Sequence, residues 1–213
     1  MPRLSIITPV FDPVPDHLVA CLASVDQQTS GDWQHVVVDD ASSDPEIVGV
    51  LDSWPADPRR TFHRRADNGG IVAASNDAVE RATGEFVVML DHDDVLAPEA
   101  VQRLVEAVVS TPQADVRYSD HDQLRADDRV VSPVYKPDFS PERLLNHNYI
   151  THLVAIRREL VLRLGAFRAG FDGAQDHDLL LRATEVARTV QHLPEILLHW
   201  RQSPASVAAD IAN

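Results

Sequence analysis

The sequence predicts an α/β domain on a mostly parallel central sheet flanked by helices, with a smaller mixed half towards the C-terminus. Three observations carry this. Apolar, β-rich runs end near positions 9, 39, 65 and 91 with helical periodicity between them, the pattern of right-handed βαβ crossovers. The run at 86–90 is too short for a helix and apolar throughout, which suits a strand covered on both faces. Two runs end in acid, Asp39-Asp40 and Asp91-His92-Asp93-Asp94, at the carboxyl edge where open α/β sheets bind ligands.

The elements follow in order. Leu4 to Pro9 is a first strand stopped by proline, which cannot donate to a ladder. Leu18, Val19, Leu22 and Val25 recur at helical spacing from Asp16 and fade into Gly31. Gln34 to Asp40 repeats the strand-then-acid design, and Ser42, Ser43 and Asp44 form a loop and cap for a helix from Pro45. Thr61 to Arg65 is a short third strand. Asn68-Gly69-Gly70 opens a helix over 71–82, with Gly84 where a helix C-terminal glycine would sit. Phe86 to Leu90 is the central strand.

The second half is less regular. A helix is expected over 98–110 and a strand over 116–119, followed by an acidic, turn-rich segment, Asp120 to Asp138, read as a hairpin or mobile loop around Asp127-Asp128. A short helix begins at Ser140-Pro141-Glu142, a strand covers 153–156 and a brief helix 158–164. Glycines 165, 170 and 173 interrupt the pattern before Asp176-His177-Asp178 enters an apolar helix. Two short strands, 190–193 and 196–200, and a small-residue tail close the chain. No linker or repeat divides it, so one domain is expected over 1–213, with a ligand-binding half at 1–97 and a second half at 98–213.

Composition narrows the function. The 213 residues carry 33 Asp plus Glu against 19 Lys plus Arg, a formal charge of −14, which argues against a nucleic-acid footprint or a basic membrane surface. The single cysteine, Cys21, lies in an apolar helical pattern and reads as a core thiol in a reducing compartment. No stretch approaches the ~20 apolar residues that span a bilayer, and the start resembles no signal peptide. The expectation is a soluble cytosolic protein.

Asp-His-Asp-Asp is rich in hard oxygen ligands and lacks a thiolate, which favours Mg²⁺ or Mn²⁺ over structural zinc. The alternative is a solvated loop in which Asp93 or Asp94 starts the next helix. Asp176 opens its helix, where a carboxylate is stabilising whatever else it does. Together the three acidic clusters suit a nucleotide diphosphate: a carboxylate for base or ribose, a metal-bound carboxylate for the diphosphate, and a glycine nest or helix start for anionic oxygens.

The series of motifs resembles the inverting, GT-A-fold, family 2 glycosyltransferases over nearly the whole chain. Ser5 to Val10 is similar to the family's first strand, whose end, here Thr8, Pro9 and Val10, touches the nucleotide base. Asp39-Asp40-Ala41-Ser42 resembles its Asp-Asp-x-Ser segment, which implies Asp40 on the base with Asp39 nearby. Asn68-Gly69-Gly70 with Ala73-Ala74-Ser75-Asn76 resembles its Asn-x-Gly and Ala-x-Asn helix start and implies donor contacts at Asn68, Gly69 and Asn76. Glu85 to Asp94 resembles its Asp-x-Asp strand: Asp91 is implied on the ribose or sugar and as a metal ligand, Asp93 as the main metal ligand, and His92 lies in the same donor segment without a role of its own. Gln175 to Arg182 resembles the catalytic Glu-Asp-x-Asp-Leu segment, which makes Asp176 the general base, with Gln175 departing from the glutamate common there. His199 stands where relatives contribute to metal or phosphate binding and is either a third ligand or a hydrogen-bonded strand histidine.

The resemblance implies a UDP-, dTDP- or GDP-sugar donor, a divalent cation (Mn²⁺ or Mg²⁺), and a glycan or lipid-linked acceptor, the last compatible with a membrane's inner face. Asn148 and His152 either line the acceptor pocket or satisfy buried backbone; Asp120, His121 and Asp122 either reach the sugar or form a solvated loop. Trp33 and Trp54 read as packing or partly exposed surface, and Trp200 as core or a sugar platform. A nucleotidyltransferase would carry a glycine-rich basic loop after the first strand, where Thr8 to Asp12 has neither feature; no Gly-x-Gly-x-x-Gly supports a dinucleotide enzyme. A non-catalytic sugar- or nucleotide-binding domain on the same fold is the remaining alternative.

Overall fold

The structure, a computed structural model, describes residues 1–125 and 129–202. Its first half is β1 (Leu4–Val10), α1 (Pro15–Asp26), β2 (Trp33–Asp39), α2 (Pro45–Ser53), β3 (Arg60–Arg64), α3 (Gly70–Arg81) and β4 (Phe86–Met89). The strands lie in the order β3-β2-β1-β4, all parallel, with Ile6 beside both His35 and Val88. Parallel strands need helical crossovers, and those helices bury both faces of the sheet. Alternate side chains of β1 accordingly enter different cores: Ile7 joins Val36, Val38 and Val72 of α3, while Leu4 and Ile6 join Phe86, Val88 and Cys21 of α1. Cys21 is a buried core thiol, as expected.

Gly84 is required for a different reason from the one its position after α3 suggests. A Cβ there would lie 2.6 Å from the backbone of both Leu4 and Ser5. The chain passes so close to β1 that no side chain fits, and the Ser5 hydroxyl accepts from Gly84 N at 2.8 Å.

The second half comprises β5 (Val95–Leu96), α4 (Ala100–Ser110), β6 (Val116–Leu124), β7 (Val130–Val134), α5 (Pro141–Asn146), β8 (Val154–Arg157), α6 (Arg158–Arg163), α7 (Gln175–Val186) and β9 (Val190–Arg201). It extends the same sheet as β4-β8-β6-β9-β5, with β7 paired to β6, and mixes parallel and antiparallel neighbours. One continuous sheet therefore crosses both halves.

Three expectations for this half are corrected. Asp120 to Leu124 is buried strand, not irregular loop. Its acids have partners inside: Asp120 Oδ1 takes His192 Nε2 at 2.8 Å and Lys136 N at 2.9 Å, and Asp122 takes His199 Nδ1 at 2.6 Å. A β6–β7 hairpin follows; the expected turn at Asp127-Asp128 lies outside the described residues, as do the tail residues 203–213. Next, the two C-terminal strands are one, because the ladder steps from Ser119↔Leu193 to Asp120↔Ile196 and bulges out Pro194, which has no N–H to pair. Finally, Val95–Leu96 pairs antiparallel with β9, drawing Asp94 inward, so neither Asp93 nor Asp94 starts α4.

Two polar clasps position α7 over the carboxyl rim of the first four strands. The Asn76 amide on α3 donates to Phe167 O and accepts from Phe167 N, both at 2.9 Å. Asp178 pairs with Arg168 and, at 2.7 Å, with Arg182, whose guanidinium also donates to Leu164 O and Ala166 O.

Candidate active site

The carboxyl end of β4 turns sharply, with Asp94 N donating to Asp91 O at 3.2 Å. That turn and the residue before Leu153 bring Asp91, Asp94 and His152 together, each offering a ligand atom within 4.8 Å of the others. Asp94 is buried; its Oδ1 accepts from Arg201 N at 2.9 Å, while its buried Oδ2 has no hydrogen-bond partner and lies 3.5 Å from His152 Nδ1. Asp91 is half exposed at the mouth, 4.0 Å from the same nitrogen. Burial, then the Asp91 and Asp93 carboxylates, raises Asp94 well above the usual carboxylate range; Asp91 is raised too, by desolvation against the cleft wall and then by Asp93. Burial also lowers His152 to about 4, so its imidazole is neutral at pH 7. An orphaned oxygen, a second carboxylate and a neutral imidazole fit a divalent cation such as Mn²⁺ or Mg²⁺.

Around this cluster the sequence-expected residues separate. His92 Nδ1 carries its proton and donates to Pro9 O at 3.2 Å, tying the acidic turn to the end of β1. Asp93 is half-buried and outside the close trio; its carbonyl accepts from Arg201 Nε at 3.0 Å, and its charge contributes to raising Asp91 and Asp94. His199 is held by Asp122 and is also outside the trio.

At the end of β2, Asp39 is wholly buried and takes Ser42 N at 3.0 Å and Arg64 Nε at 2.6 Å. Asp40 accepts from Gly69 N at 3.0 Å and Gly70 N at 2.8 Å, placing its charge on the first amides of α3, where a helix favours an anion. Arg65 lies 2.8 Å from Asp40, close enough for an ion pair but not aligned for a hydrogen bond. Asn68 Oδ1 also accepts from Gly70 N, at 3.2 Å, and Gly70 has a φ of +81°, which glycine adopts without cost. Thr8 is buried and shares a 3.0 Å hydrogen bond with His35, and Val10 is in the core. Pro9 alone of the three β1 residues lines the cleft. Asn76 has its amide on Phe167, as described, and reaches the cleft only through that residue.

Asp176 faces the acidic cluster from the first turn of α7. Between them is a cleft, open to solvent and lined by Pro9, Asp91, Thr151, His152, Gln175 and Asp176 over an apolar floor that includes Met89 and Phe167. Asp176 Oδ2 accepts from Asn148 Nδ2 at 3.0 Å. Burial first, then the charge of Asp91, raises its pKa, the direction that strengthens a carboxylate as a base. His177 turns away and donates to Leu144 O at 2.7 Å. Trp200 stacks on His152, with ring centroids 5.8 Å apart.

Asn148 and His152, read from sequence as lining an acceptor pocket or satisfying buried backbone, have side-chain contacts that put Asn148 on Asp176 and His152 in the acidic cluster, where it lines the cleft. Lys136, whose ammonium sits beneath His152, went unnoticed. Its only signal is compositional: it is the single lysine in the chain.

Comparison with known proteins agrees with this architecture. The chain is 35% identical over 209 residues to the O-antigen biosynthesis protein RfbC of Myxococcus xanthus, covering 98% of the chain and 16% of that protein. It spans a quarter or less of the length of its curated relatives at 34% identity or more. Among solved structures it resembles S. aureus TarS 1-349 in complex with UDP-GlcNAc, with a TM-score of 0.79 at 20% identity over 95% of this chain and 59% of that one. It also resembles the mannosyltransferase PcManGT from Pyrobaculum calidifontis in complex with GDP-Man and Mn²⁺, with a TM-score of 0.72 at 22% identity over 99% of this chain and 60% of that one. These likenesses support the GT-A fold expected from the motifs. Residues 5–165 match the family model for glycosyl transferase family 2, and the chain belongs to that family.

Proposed function

We propose that this domain transfers a sugar from a nucleotide-diphosphate donor to a hydroxyl of a glycan or lipid-linked acceptor, with inversion and with the help of a divalent cation. One observation carries the reading: a carboxylate with a raised pKa, Asp176, faces Asp91 and His152 across a single cleft at the carboxyl rim of the sheet, with the buried Asp94 clustered beside those two.

A sugar hydroxyl is a weak nucleophile until its proton is taken. Asp176 takes that proton as the acceptor oxygen attacks the anomeric carbon, and Asn148 orients the carboxylate by donating to Oδ2. Carbon–oxygen bond formation on one face and departure of the nucleotide diphosphate from the other give inversion in a single displacement. Asp91, Asp94 and His152 would hold the Mn²⁺ or Mg²⁺, with Asp93 adding charge beside them. The cation would supply Lewis-acid stabilisation of the leaving diphosphate. Pro9, Asp39, Asp40, Asn68 and Gly69 form the end of the rim assigned to the base and ribose, with Asp40 fixing the glycine turn. The donor is of UDP, dTDP or GDP type. Among the described residues no helix is long and apolar enough to cross a membrane, so a membrane-tethered acceptor would be met from the surface.

Titration calorimetry with UDP-, dTDP- and GDP-sugars, first with Mn²⁺ and then with chelator, tests the reading. At least one donor is expected to bind and to weaken when the metal is removed; no binding to any donor overturns it.

A further inference from the structure

Lys136 is the only lysine among 19 basic Lys and Arg residues, and it is buried. Its ammonium donates to three main-chain carbonyls: Ser119 O on β6 at 2.6 Å, His152 O at 2.6 Å, and Thr151 O. An ammonium has three protons to donate, so this set saturates it. The site suits a compact ammonium, whose three donors diverge from one nitrogen, better than the larger planar fork of a guanidinium. Burial pulls the ammonium down to about 7, opposed by the nearby Asp120 carboxylate, whose Oδ1 also accepts from Lys136 N at 2.9 Å.

The two carbonyls beyond β6 belong to the loop that builds the cleft. His152 has a φ of +46°, a left-handed conformation that a non-glycine residue keeps only where its surroundings impose it. Its ring lies between Asp94 Oδ2 and the face of Trp200. Four residues earlier the same loop carries Asn148, the partner of Asp176.

We infer that Lys136 is the positioning residue of the candidate site: by binding the Thr151 and His152 carbonyls to β6 it holds the His152 imidazole against Asp91 and Asp94 in readiness for a divalent cation. Lys136 itself touches neither donor nor acceptor. The inference rests on the proposed role of His152 in metal binding, but part of its test is independent of that role.

The variants Lys136→Met and Lys136→Arg are compared with the parent domain by circular dichroism and by histidine ring NMR in metal-free protein, with the His152 resonance identified by its loss in His152→Ala. In folded variants the His152 resonance is expected to move away from its Trp200-shielded position, and Mn²⁺ affinity to fall about 10–100-fold, as when a metal ligand loses its outer support. Arginine is expected to fare no better than methionine. A folded variant with an unchanged His152 resonance overturns the inference, whether or not the parent binds Mn²⁺; failure of the parent to bind Mn²⁺ overturns the metal reading instead. Should neither variant fold, the parent still decides. Its lone ¹⁵Nζ lysine signal at pH 6 is expected to exchange slowly with water, and exchange at the rate of a free amine overturns the inference.

Discussion

Asn148 donates its side-chain amide to Asp176 Oδ2 across 3.0 Å, joining the loop before β8 to the first turn of α7. The bond selects one oxygen and one orientation for a carboxylate otherwise pushed towards its neutral form by burial and by Asp91. A donor on the ionised form opposes that push.

Asp176→Asn is therefore expected to retain donor binding while lowering turnover by about 10²–10⁴-fold, the range of a lost general base. The parent's turnover should fall as pH drops through a limb above the ordinary aspartate value of ~3.9, because only the ionised form accepts a proton and its pKa is raised. Asn148→Ala should move that limb further up. Turnover measured across pH for all three proteins checks this; transfer retained by Asp176→Asn shows that the base lies elsewhere.

Metal binding separates two histidines. His152→Ala and Asp94→Asn are expected to weaken Mn²⁺ by about tenfold or more, since they remove members of the close cluster. His199→Ala, which breaks a bond to Asp122, should change it by less than about threefold, within the scatter expected for a polar pair away from the ligands. Calorimetric Mn²⁺ titration distinguishes them, and a larger loss at His199 than at His152 reverses the assignment. Saturating Mn²⁺ should also raise the melting temperature, and a chelator should cancel the rise, because a ligand bound only by the folded state stabilises it.

Gly84→Ala tests the close passage of the chain over β1. The added methyl would meet backbone at 2.6 Å on two sides, and backbone cannot rotate out of the way. A loss of about 2–3 kcal/mol is expected from overpacking, read as a lower urea midpoint. Gly49→Ala, with open space around its Cβ, is the control and should not destabilise.

Acid stability should depend on Asp115. This carboxylate accepts from Arg188 N, Nε and Nη2 and from Arg157 Nε, and the Arg188 guanidinium foremost holds its pKa far below the usual range. A depressed folded-state pKa contributes stability that is present above the unfolded value of ~3.9 and lost as pH falls towards the folded one. Asp115→Asn should cost about 2–3 kcal/mol at pH 7, the scale of hydrogen bonds to a charged group. The difference should shrink in denaturation curves below pH 4; an equal difference at pH 7 and pH 3 contradicts the linkage.

Much of the first half was legible because its information is local. Strands covered on both faces must be apolar throughout, so β1, β2 and β4 announce themselves, and the caps at Asp44 and Pro45 lie where their residue types require. Asp91 and Asp176 stood out because strand ends and helix starts are sequence features. What pairing brings together was not legible. Asp94 resembled a helix-starting residue until β5 joined β9 and buried it. Asp120 and Asp122 resembled solvated loop because their partners, His192 and His199, lie on a distant strand. Asn76 carried a family motif, yet its amide is on the backbone of Phe167. Chain order alone thus determined a parallel sheet with acid at its carboxyl rim. The tertiary structure decided which acids share a cleft, gave them His152 from a far loop and set Lys136 beneath it, because burial and hydrogen bonding depend on neighbours in space.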